Sequence, residues 1–192
     1  MIILDWHFFQ IRSDGSREAT DDVPSPFAVI TYFKPDLTVE LPECYDLSSL
    51  YYRFDQLRHT DIFFFALRVD GNFDYILTRA MCKTEEGVPL VKAAAVQPQF
   101  EFRNISGTLV GFWTPEYAEA LNAPGYHFHF LSKDGTYGGY LLESSSSSHQ
   151  LNLQIQREGN YRIAFPENDH FVNANLTKDR SDSIAKAESY HS

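Results

Sequence analysis

The sequence predicts an α+β protein dominated by antiparallel strands. Three observations carry that expectation. The 192-residue chain holds 16 Phe and 11 Tyr, side chains that suit pleated, half-buried surfaces. Short apolar or alternating runs recur between turn residues, with no strand–helix–strand rhythm. One internal stretch has a clear helical spacing. The length suits one large domain or two small ones sharing a core. A hydrophobic content of 43% is that of a globular chain.

The elements follow in order. MIILDWHFFQIRSDGS (1–16) reads as two strands with a turn at the SDG of 13–15. After the acidic loop DDVPSP, FAVITYF (27–33) reads as a buried strand stopped by Pro35, and LTVEL (37–41) as a short one. DLSSLYYRFDQLRH (46–59) is the helix. Its Leu47, Leu50, Tyr51, Phe54 and Leu57 recur at three- and four-residue steps, with Asp46 or Ser48 at the cap. DIFFFALRVDG (61–71) and FDYILTRAM (73–81) read as a hairpin turning at Asp70-Gly71. LVKAAAVQP is a short helix or an extended link. FEFRNISGTLVGFWTP (100–115) reads as a second hairpin, through Asn104 to Gly107. PEYAEAL (115–121) gives one or two helical turns behind Pro115. HFHFLS and YGGYLLE form a hairpin over a DG turn, and the serines 144–148 a flexible loop. LNLQIQ and YRIAFP alternate as strands, and SDSIAKAES (181–189) is a C-terminal helix.

Charge removes two classes of function. The net charge is −10 and the isoelectric point about 5.0. Nucleic acid would demand a basic stripe to replace counterions, and none is visible. Anionic membranes are disfavoured for the same reason. The two cysteines, Cys44 and Cys82, cannot build a disulfide framework and read as reduced thiols. No apolar run approaches a membrane span, and MIILDWHFF has neither a basic leader region nor a cleavage site. The expectation is a soluble, cytoplasmic protein.

GYHFHFLSKDGTYGGYLLE (125–143) concentrates the candidate chemistry. His127 and His129 stand two residues apart on a strand, so they share one face. Neutral imidazoles in that spacing suit a divalent metal such as Zn2+. Two solvent-facing histidines would give the same pattern. A cupin-like barrel also begins with H-x-H, but here only Asp134 follows closely, in a turn. On the strand after the turn, where a third ligand would fall, stands Tyr140.

Longer stretches resemble one family. FFQIRSDGS followed by SPFAVITYF, the hairpin ALRVDGNFDYILTR, the block from QPQFEFRNISGTLVGFWTP through GGYLLE, and the C-terminal FPENDHFVNANL are similar to acetolactate decarboxylase, and the resemblance covers essentially the whole chain. That family converts 2-acetolactate to acetoin and CO2 with zinc. The resemblance implies two β-rich subdomains, here 1–96 with the helix and 97–192 with the metal site, and a homodimer. It places the first two zinc histidines on His127 and His129, the catalytic arginine on Arg79, and a C-terminal catalytic glutamate on Glu188.

Two departures follow from the same resemblance. The family's third zinc histidine falls on Tyr140. A phenol has a pKa near 10 and must lose its proton to bind a metal well. The family's N-terminal segment, which carries a catalytic glutamate and part of the first sheet, would precede Met1. The expectation is therefore a chain with a truncated first sheet and weakened or absent zinc-dependent activity. The alternative is a non-catalytic relative that binds a small hydroxy or keto acid.

Overall fold

A computed structural model describes residues 1–14, 17–19, 28–80, 88, 92, 96–119, 121–147, 151–165, 167 and 169–173. Nine strands dominate the described residues, in two antiparallel sheets. The small sheet is β1 (Ile2–Leu4), β2 (His7–Ile11) and β3 (Arg17–Ala19). The large one holds β4 (Leu37–Leu41), β5 (Phe64–Arg79), β6 (Gln99–Thr114), β7 (Gly125–Ser132), β8 (Gly138–Ser145) and β9 (Leu151–Glu158). Their order is β4-β9-β5-β6-β7-β8, and β8 pairs again with β5. Strands β5 to β8 thereby close into a ring. Strands from before and after residue 96 share this sheet. The mostly antiparallel α+β architecture expected from the sequence is the observed one.

β5 makes the closure possible. One edge pairs with β6 along nearly its whole length, from Phe65↔Trp113 to Arg79↔Gln99. The other edge is divided. Phe64–Asp70 pairs with β9, and Tyr75–Arg79 pairs with β8, with a register shift at Leu77/Thr78. The two hairpins expected at Asp70-Gly71 and at Asn104–Gly107 are therefore not turns. Each is the middle of a sixteen-residue strand. The reason is mutual pairing, since Asp70 faces Thr108 and Gly71 faces Gly107. Asp70 accepts a hydrogen bond from the Thr108 hydroxyl at 2.7 Å and another from Arg68 Nε at 2.7 Å. Gly107 is needed for space, because a Cβ there would lie 2.4 Å from Phe130 Cε2.

The helix α1 (Leu47–Arg58) starts where the sequence placed it. Asp46 accepts from the Ser49 amide at 2.7 Å, and the Ser49 hydroxyl answers the Asp46 amide at 3.1 Å, a full capping box. Leu50 and Phe54 then enter a core with Phe73, Leu109, Phe128, Phe130 and Leu153. At the helix end, the buried Arg58 guanidinium lies 3.6 Å from the Trp113 ring centre and bonds Asp55 at 2.7 Å. A 3-10 turn (Glu116–Ala118) follows Pro115, and a short helix α2 (Asp169–Val172) follows β9.

Four other expectations change. Of the serines 144–148, expected as a flexible loop, Ser144 and Ser145 end β8, and the Ser146 amide donates to the Cys44 carbonyl at 2.7 Å. The N-terminal stretch turns first at Asp5-Trp6, both with left-handed backbone, so β1 and β2 form their own hairpin. Residues 28–33 are no strand, and Ile30 and Tyr32 are exposed. Their partners on β9 are side chains: Thr31 Oγ1 bonds Glu158, and Gln156 donates to the Tyr32 carbonyl at 3.3 Å. Residues 161–165 also lack a strand ladder, and Tyr161 stacks on Phe64 with centroids 4.8 Å apart. Cys82, Glu188, the C-terminal helix expected at 181–189 and most of 89–97 lie outside the described residues.

Candidate active site

The alternation of β7 sets out the site. Phe128 and Phe130 enter the main core. His127, His129 and Leu131 occupy the opposite face. There Leu131 packs with Ile2 and Phe9 of the N-terminal hairpin, flanked by Leu4, Ile11 and Val110. The histidine face is thus partly roofed by β1 and β2.

Register gathers the remaining residues. His129 pairs with Tyr140 across β7 and β8, and Tyr140 pairs with Arg79 across β8 and β5. His129, Tyr140 and Arg79 therefore form one row across three strands. The GG step before Tyr140 permits this approach, since a Cβ on Gly139 would stand 2.7 Å from Thr78 Cβ and 2.8 Å from the Arg79 carbonyl oxygen. Four of the five sequence-predicted site residues are brought together. The fifth, Glu188, lies outside the described residues.

Within the cluster, ring centroids are 5.2 Å apart for His127–His129, 4.8 Å for His127–Tyr140 and 5.7 Å for His129–Tyr140. Both histidines meet the tyrosine nearly at right angles, at 77° and 89°. The Arg79 guanidinium carbon is 4.3 Å from the Tyr140 ring centre. Arg79 is only 5% exposed. Burial above all holds the His129 imidazole well below its ordinary pKa, and the like charges of His127, the chain's amino terminus and Arg79 act the same way. It is a neutral imidazole at physiological pH.

Sequence reasoning missed the helix side of this region. Tyr51 of α1 is near enough to Tyr140 and Glu143 to feel their charge, although burial is the main cause that raises its phenol pKa. Glu143 accepts from the Leu47 amide at the helix start, at 2.6 Å. Tyr51, Leu77, Gln99, Leu142 and Glu143 line a cleft of about 450 Å³. Another cleft, of about 570 Å³, lies between Asp5, Arg68, Asp70, Lys133 and Asp134. Neither is lined by the four cluster residues. The signal for Tyr51 was its place in the helical stripe, which reads as core until the register of β8 is known.

The donor set can be tested against a zinc centre. Two imidazoles on one strand face suit it. The third position does not. Tyr140 offers a phenol, and its ring is engaged face-on by a guanidinium and edge-on by both histidines. Among the described residues, no three His, Cys, Asp or Glu side chains are grouped so as to hold a metal ion. The cluster does not fit a three-nitrogen zinc centre.

In class, this is an antiparallel β protein with a ring of strands and a polar cluster of two histidines, a tyrosine and an arginine on the face away from its core. Comparison with known proteins narrows it. A family model described as alpha-acetolactate decarboxylase matches residues 1–178. An alpha-acetolactate decarboxylase of Methanosarcina mazei is 35% identical over 190 residues, 98% of this chain and 65% of that protein. One of Brevibacillus brevis is 34% identical over 191 residues, 98% of this chain and 66% of that protein. The crystal structure of alpha-acetolactate decarboxylase from Bacillus subtilis superposes with a TM-score of 0.89 at 31% identity, covering 96% of this chain and 79% of that one. The chain belongs to the alpha-acetolactate decarboxylase family, and it spans about two thirds of the length of the first two relatives, 65% and 66%.

Proposed function

We propose that this chain is an acetolactate decarboxylase-type protein whose zinc-dependent conversion of 2-acetolactate to acetoin and CO2 is weakened or lost. One observation carries the reading: Arg79, distant in sequence, meets His127, His129 and Tyr140 on one face of the strand ring. Arg79 is the fixed positive charge of that cluster. It suits the carboxylate of a small hydroxy-keto acid, and later the negative charge that develops as CO2 departs. The neutral imidazole of His129 offers a hydrogen bond to a hydroxyl or carbonyl oxygen without adding charge. Tyr140 is the reason for the reduced activity, since a centre with two nitrogens holds zinc less firmly than one with three.

A second reading, a relative that binds such an acid without turning it over, is favoured by the packing of Arg79 on Tyr140. The proposal extends the resemblance to a homodimer in the cytoplasm; no helix among the described residues is long and apolar enough to cross a membrane. Sedimentation velocity checks the dimer.

Racemic 2-acetolactate given to the purified chain separates the readings. Slow acetoin formation that falls further in Arg79→Gln supports the weakened enzyme. A ligand-dependent rise in melting temperature without acetoin supports the binder. Neither product nor a melting shift, with the protein folded, would remove acetolactate as its ligand.

A further inference from the structure

We infer that in this chain the Arg79–Tyr140 stack takes the place of the metal, as a metal-free brace that ties β5, β7 and β8 together. The inference rests on the same cluster as the proposed function, but it concerns what holds the cluster and not what the cluster acts on.

The geometry is that of packing. A metal-bound ring directs a donor atom at the ion. Here Tyr140 presents its ring: one face meets the Arg79 guanidinium at 4.3 Å, and the two imidazoles meet it at 77° and 89°. Edge-to-face aromatic contacts at 4.5–7 Å and a cation within about 6 Å of a ring are both attractive without any ion. The spacings of 4.8 and 5.7 Å fall in that range.

Position turns these contacts into a brace. Tyr140 stands in the middle strand of the row, between His129 on β7 and Arg79 on β5. This is the seam where the strand ring closes, and the register shift at Leu77/Thr78 lies beside it. A three-histidine centre would draw on β7 and β8. The stack reaches those strands and adds β5.

A metal and the stack therefore exclude one another, and the prediction is read by metal content and melting, without any activity assay. The full chain is treated with EDTA, dialysed and titrated with zinc chloride, alongside Tyr140→Phe, Tyr140→Leu and Tyr140→His. The brace predicts that wild type takes up no zinc at this site and melts at the same temperature with zinc or with EDTA. Tyr140→Phe keeps the ring and should likewise take up no zinc. Tyr140→Leu should melt roughly 2–6 °C lower, with no rescue by zinc. Tyr140→His should take up about one zinc per chain and melt higher with it, an effect lost on adding His127→Ala. One zinc per wild-type chain, lost in Tyr140→Phe and accompanied by a phenolate band in the near-ultraviolet difference spectrum, would make Tyr140 a ligand and overturn the brace. So would a Tyr140→Leu variant that melts as wild type. Failure of acetolactate to bind or react would sink the proposed function and leave this result untouched, whereas zinc-dependent acetoin formation by wild type would support the weakened enzyme and overturn the brace.

Discussion

Strand β7 joins two regions built by opposite means. On one face, Phe128 and Phe130 lie at 1% and 0% exposure within the main core. On the other, His127 and His129 share a polar cluster with Tyr140, and only Leu131 packs into a small hydrophobic group under the N-terminal hairpin. The first face is held by buried area and close packing. The second is held by a few directed contacts. Stability and chemistry are thus separable within eight residues, and substitutions on the two faces should report different things.

The largest effect is expected on the core face. Phe130 touches Phe73 edge-on at 6.0 Å and Phe102 at 6.2 Å. Phe130→Ala removes a fully buried ring and should cost about 3–5 kcal/mol in urea unfolding. A loss under about 1 kcal/mol would mean that the core does not depend on that face. Gly107→Ala sharpens the point from the other side. The new methyl would meet Phe130 Cε2 at 2.4 Å and the Leu131 carbonyl at 2.5 Å, and the second of these is backbone. The expected cost is roughly 1–3 kcal/mol. Pairing it with Phe130→Leu should recover only part of the loss, because the carbonyl clash remains.

Leu131→Ala tests where the two regimes meet. It shares a face with the histidines but packs with Ile2 and Phe9. A cost of about 2 kcal/mol is expected, the lower end for a buried leucine. Hydrogen exchange should quicken in β1 and β2 and stay slow in β5 and β6. Uniform quickening would show that the hairpin and the ring unfold as one unit.

The same contrast explains what was legible in the sequence. Local rules sufficed for α1, where the apolar spacing and the Asp46–Ser49 cap agree. They sufficed for β7 with its H-x-H face and for the start of β8, but not for Ser144 and Ser145, which read as loop and continue the strand. They failed where pairing over distance overrode a local turn signal. Asp70-Gly71 and Asn104–Gly107 look like hairpin turns, yet Gly71 faces Gly107 inside two long strands and pairing carries both segments through, with Asn104 in a left-handed backbone. They failed also at residues 28–33, whose apolar run is matched by side chains of β9 and not by a neighbouring backbone. In the site, the histidine pair was local information. The contact of Arg79 with Tyr140 was not, because it depends on β5 and β8 closing the ring sixty residues apart in sequence.

The smallest effect belongs to His127, and it depends on its partner. His127 is partly buried and meets Tyr140 edge-on at 4.8 Å. In the wild-type background His127→Ala removes its ring contacts with His129 and Tyr140, and thermal or urea unfolding should register under about 1 kcal/mol. In the Tyr140→His background with zinc present, the same change removes a ligand, and the loss should grow with zinc concentration as binding energy is withdrawn from the folded state. The interaction between the two substitutions is then the quantity to measure. A large zinc-dependent coupling would mean that β7 and β8 still hold the geometry of a metal centre and that residue 140 alone decides between ion and ring. Additive effects, with zinc or without, would mean that the two histidines no longer converge and that the polar face of β7 owes its arrangement to packing throughout.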